Sequence, residues 1–61
     1  MDRSDFIRVD DYMFNMKEIA CVYKHSSYTI VIELKSGVIH KIVFNTETER
    51  NDEFERIDRI L

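Results

Sequence analysis

Residues 28–44 constrain this chain more than any other part of it. Ile30, Ile32 and Leu34 alternate with Thr29, Val31 and Glu33, then Lys35-Ser36-Gly37 interrupts, and Val38, His40, Ile42 and Phe44 alternate with Ile39, Lys41 and Val43. Two β-branched runs around a glycine-containing break specify a β-hairpin. Parity fixes its loop. A two-residue loop would leave both faces mixed, whereas a three-residue Lys35-Ser36-Gly37 loop pairs Leu34 with Val38 and Ile32 with His40, making one face apolar apart from His40. It also puts the chain's only glycine where a type I turn followed by a bulge needs positive φ.

Upstream, Ile19, Cys21 and Tyr23 alternate with Ala20, Val22 and Lys24, and Lys24-His25-Ser26-Ser27 supplies a polar break. A four-residue loop there pairs Tyr23 with Tyr28 and sets Ile19 and Cys21 beside Ile32 and Ile30, a third strand of a simple meander. Nearer the start, residues 6–9 and 12–14 fit two short strands around an Asp10-Asp11 turn. Met13, Phe14 and Met16 also fit a single helical turn.

The period changes at the C-terminal end. Phe54, Ile57, Ile60 and Leu61 recur at helical spacing, and Asp52 with Arg56 and Glu55 with Arg59 are acid-first i,i+4 pairs. Thr46 with Glu49 fits a capping box, and Asn51 is the alternative start, because residues 47–53 carry no apolar side chain. The expected fold is therefore a single α+β domain over residues 1–61. It is a small antiparallel β-meander, with strands at about 5–9, 12–14, 19–24, 28–34 and 38–44, and one C-terminal helix at about 47–61 packed on one face.

The helix should cover the face made of Ile19, Cys21, Tyr23, Tyr28, Ile30, Ile32, Leu34, Val38, Ile42 and Phe44. The reverse face carries Ala20, Val22, Val31, Ile39 and Val43, interrupted by Thr29, Glu33 and Lys41. That strip is too apolar for solvent and too mixed for a core. Either the N-terminal segment 6–14 folds back over it or a second copy of the chain does.

Association is also what the size suggests. A 61-residue chain buries little surface and usually needs a disulfide, a metal or an oligomer partner. Cys21 is the only cysteine, which excludes an internal disulfide and suits a reducing compartment. One thiol and two distant histidines, His25 and His40, do not form a structural zinc set. With 12 acidic and 9 basic residues the net charge is −3, and the scattered cations form no stripe for a nucleic-acid backbone. The absence of a long apolar run argues against a membrane span or a signal peptide, so a cytoplasmic location is expected.

Chemistry finds little support in the residues. His40 falls on the apolar face, where a packed histidine is the ordinary case. His25 lies beside Ser26 and Ser27 without a third group to orient it. Cys21, expected inward, would be an inert thiol. Asp2, Asp5, Asp10 and Asp11 lack the spacing and central glycine of a calcium loop. The reading is non-enzymatic, with no cofactor and no metal. The candidate interface comprises Tyr12, Phe14, Val22, Val31, Ile39, Val43, Lys24 and His25, a set rich in the aromatic and apolar types that anchor protein contacts.

Over residues 12–44 the chain resembles the small flagellar FlbD/SwrD family. The similarity is carried by Phe14-Asn15, Ile19, the Tyr-Thr-Ile-Val-Ile run at residues 28–32 and the Leu-Lys-Ser-Gly turn at residues 34–37. It lacks that family's early Asn-Gly and has His25-Ser26-Ser27 where the family has a proline. The resemblance implies a flagellar or regulatory accessory role. In size, acidity and build the chain is also similar to small phage-encoded proteins that block host defence. The leading expectation is a homodimeric, non-catalytic protein-binding module, most specifically a phage-type inhibitor of a host protein. A nucleotide sponge, with Lys24, Lys41 or Arg8 facing a shared cleft, is the third reading.

Overall fold

A computed structural model describes residues 5–61. Strands β1 (Phe6–Val9) and β2 (Tyr12–Asn15) are followed by a 3₁₀ turn, Met16–Glu18. Then come β3 (Ile19–Lys24), β4 (Thr29–Leu34), β5 (Ile39–Val43) and one helix, α1 (Glu47–Ile60). The α+β architecture expected from the sequence is present. The strands form two antiparallel sheets, a β1–β2 hairpin and a three-stranded β3–β4–β5 meander. Residues 1–4, and with them Asp2, lie outside the described part.

The N-terminal segment is strand, not a helical turn. Val9 pairs with Tyr12, leaving Asp10-Asp11 as a two-residue turn with Asp10 at φ +57. Two-residue hairpin turns take positive φ at their first central position, and aspartate is among the few non-glycine residues that tolerate it. At the end of β2, the Asn15 side chain accepts a hydrogen bond from Lys17 N at 3.0 Å and caps the 3₁₀ turn.

The β4–β5 hairpin has the register that parity dictates. Ile32 pairs with His40, Leu34 N donates to Val38 O, and Gly37 closes the three-residue loop at φ +95.

The β3–β4 register departs from expectation. Tyr23 pairs with Val31, not with Tyr28, and His25 N donates to Thr29 O across a loop of Ser26, Ser27 and Tyr28. A shift of three residues reverses the parity of β3. Val22 now sits opposite Ile32 on the apolar face, while Cys21 and Tyr23 turn to the reverse face. A bulge between Ile19 and Cys21 restores Ile19 to the inside, opposite Leu34. The two aliphatic side chains of β3 thus both reach the core, and the polar-tipped Tyr23 and small Cys21 remain outside.

The core consists of Ile7, Val9 and Phe14 from the hairpin, Ile30, Ile32 and Ile42 from the meander, and Ile57 from α1. Hairpin and helix therefore pack side by side on the same face of the meander. The expectation that the N-terminal segment covers the reverse face is corrected by this arrangement. With the hairpin sharing the work, α1 contributes chiefly Ile57 and Phe54, and Ile60 and Leu61 stay exposed. The helix starts at the earlier of the two expected positions. Thr46 Oγ1 accepts from Glu49 N at 3.1 Å.

Candidate interaction surface

Register and pleat together put nine residues on the reverse face of the meander. Cys21, Glu33 and Ile39 form one row, Tyr23, Val31 and Lys41 the next, and His25, Thr29 and Val43 the third. The central Val31 is 1 % exposed, but Ile39 is 54 % and Val43 70 % exposed. No described element lies over them. This is the uncovered face of a two-layer fold.

Its electrostatics are mixed. Tyr23 and Glu33 are diagonal neighbours across β3 and β4. The Glu33 carboxylate, as an acceptor for the phenol, raises the Tyr23 phenol above its ordinary value, with desolvation and that carboxylate's charge acting the same way. Lys41 supplies the cation of the face. Cys21 is exposed here, contrary to the inward, packed thiol expected from alternation.

The candidate interface residues divide among three places. Val31, Ile39 and Val43 share the uncovered face, with His25 at its end. Val22 belongs to the opposite face, where it lines a shallow groove with Phe54, Ile57, Asp58 and Leu61. Lys24 is beside it, its Nζ 5.1 Å from the Phe54 ring centroid, a cation–π arrangement. Phe14 is buried in the core at 5 % exposure. Its ring meets His40 edge-on at 5.1 Å, and the half-exposed Tyr12 stacks obliquely on the same imidazole at 5.4 Å. His40 is thus a packed aromatic partner, one side of a three-ring cluster.

Sequence reasoning missed Cys21 and Tyr23 as members of the open face. The available signal was the Ile19/Val22 spacing, three residues that only a bulge can bring to one side of a strand. Arg8, Lys24 and Lys41 occupy three different strands, and Lys24 and Lys41 face opposite sides of the meander, so a single chain does not bring them together. Among the described residues no three His, Cys, Asp or Glu side chains converge on a metal-sized site. No described helix is long and apolar enough to cross a membrane. Comparison with family models, with curated proteins and with solved structures finds no match to the chain.

Proposed function

We propose that this chain is a non-catalytic protein-binding module that self-associates as a homodimer in the cytosol and inhibits a host protein, in the manner of small phage-encoded anti-defence proteins. One observation carries the reading. Both covering elements, the β1–β2 hairpin and α1, are spent on one face of the meander, and the other is left with Tyr23, Ile39 and Val43 in contact with solvent. A small protein that leaves β-branched side chains exposed on a rigid sheet has a docking surface in place at low ordering cost.

The test has two arms. Light scattering after size exclusion should give a dimer mass at tens of micromolar; a monomer at every concentration, with a melting temperature unchanged on dilution, overturns self-association. For inhibition, the protein should restore phage plating on bacteria carrying a defence system, and Val43→Glu should abolish this. Failure to restore plating in any of a broad set of systems overturns the inhibitor reading.

A further inference from the structure

We propose that the second copy adds at the outer edge of β5, antiparallel, extending the three-stranded meander into a continuous six-stranded sheet; this rests on the homodimer reading and specifies its geometry. The backbone supplies the first reason. Leu34 N bonds to Val38 O at one end of the β4–β5 ladder and Phe44 N to Tyr28 O at the other. Hydrogen-bonded pairs alternate along an antiparallel ladder, so the even-numbered residues of β5 bond to β4. The N–H and C=O groups of Ile39, Lys41 and Val43 point away from it, toward an edge where no described strand pairs.

The two edges of the meander differ. The β3 edge carries the bulge between Ile19 and Cys21 and follows directly from a 3₁₀ turn, both of which spoil a template for strand addition. The β5 edge has regular register throughout, and Lys41 is its single charged guard. Pairing β5 with β5 about a two-fold axis consumes both regular edges and leaves only the bulged ones outside. The assembly therefore closes at two copies instead of running on as a fibre.

Face-to-face stacking of the uncovered faces is the competing geometry, and its area is too small. Three strands about 4.8 Å apart with three same-face residues per strand span about 280 Å². Two such patches give about 560 Å², against roughly 1,200 Å² for the smaller specific interfaces. Edge addition depends less on area, because about four directed main-chain bonds form between the copies. Its register follows from charge. Setting Lys41 directly opposite Lys41 is unfavourable. An offset of two residues instead puts Lys41 of each copy opposite Val43 of the other and covers the most exposed of the strand's aliphatic side chains.

Sedimentation velocity on the full chain from low to high micromolar concentration tests this, with Lys41→Pro as the variant. Proline at residue 41 removes an outward N–H and no bond to β4. The wild type should be a dimer and the variant should have half its mass, with an unchanged circular dichroism spectrum. A dimeric Lys41→Pro overturns edge addition while leaving the homodimer standing; a monomeric wild type overturns both. Should the variant fail to fold, amide exchange of the wild type decides. Protection of Lys41 and Val43 should rise at least about tenfold from dilute to concentrated samples, and concentration-independent exchange overturns the proposal.

Discussion

Arg50, in the first turns of α1, donates from Nη1 to the main-chain oxygen of Ser26, 24 positions earlier, at 2.7 Å. Its Nε is held by Asn51 Oδ1 at 2.8 Å, and the residue is 6 % exposed. The loop it grips is the one that sets the β3–β4 register. Ser26 has φ +54, and its Oγ donates to Thr29 Oγ1 at 3.1 Å. A helix residue thus stabilises a three-residue loop that no local turn signal favours.

Arg50→Met keeps most of the buried stem and removes the donors. A hydrogen bond from a charged group contributes about 1.5–3 kcal/mol, so urea denaturation should show a loss in that range. At about 4–8 °C per kcal/mol for a domain of this size, the melting temperature should fall by some 6–24 °C. Glu49→Gln, one residue earlier on the exposed side, should change stability by less than about 0.5 kcal/mol.

The β4–β5 hairpin was legible because parity, loop length and Gly37 agree, each requiring the same three-residue turn. The helix start was legible because Thr46 and Glu49 carry a local signal. The β3 register was not, since its determinants are non-local: Arg50 from the helix, and a bulge that lets Ile19 and Val22 share a face. The helix ion pairs were misread for a similar reason. Arg56 bonds Glu53 at i−3 through Nε and Nη2, and its Nη2 also reaches the Arg8 carbonyl on β1, drawing it away from Asp52. Val31, Ile39 and Val43 were legible as members of the reverse face, but not that the hairpin would leave that face and pack beside the helix, because segment 6–14 is amphipathic enough for either face.

Gly37 offers a clean separation of strain from crowding. A Cβ added there meets no atom within 4 Å, so any cost of Gly37→Ala is conformational, from φ +95. Destabilisation of about 1 kcal/mol is expected, less for Gly37→Asn and more for Gly37→Val, read as shifts in the urea midpoint at constant slope.

Ile57 is the one fully buried side chain of α1, packed with Ile7, Val9, Ile30 and Ile32. Ile57→Ala should cost about 2–5 kcal/mol. Total stability for a chain of this length is about 3–9 kcal/mol, so the loss is a large share of it, seen as a lower urea midpoint and loss of helical circular dichroism at a lower temperature. Ile60→Ala, at an exposed position, should be nearly silent.

The Glu53–Arg56 pair gives a pH dependence of known sign. The Arg56 hydrogen bond holds the Glu53 carboxyl below its ordinary value near 4.5, partly opposed by burial and aided by the guanidinium charge. A depressed folded-state value means the stabilisation is complete above about pH 4.5 and is lost as pH falls through the folded value. Because the pair is partly solvated, the effect should be at most about 1 kcal/mol. Glu53→Gln should flatten the acid limb of the stability profile between neutral pH and pH 3, and an unchanged limb would mean the pair contributes nothing measurable.

Tyr23 and Glu33 test the β3–β4 register itself. In the observed pairing they are diagonal neighbours; with Tyr23 opposite Tyr28, five residues from Glu33, they would be far apart. The Glu33 carboxylate, as an acceptor for the phenol and by its charge, raises the Tyr23 phenol above its ordinary value, so an NMR titration of the Tyr23 ring should show a raised midpoint. Glu33→Gln removes the carboxylate charge and should lower the Tyr23 midpoint, while Glu18→Gln, beyond the strand, should not. A raised folded-state value contributes stability that is present below the ordinary phenol value and lost as pH rises through the folded one, so the variant should also lose a small alkaline sensitivity. A wild-type Tyr23 midpoint that does not respond to Glu33→Gln would place Tyr23 away from Glu33. It would thereby return Cys21 and Tyr23 to the apolar side of the meander.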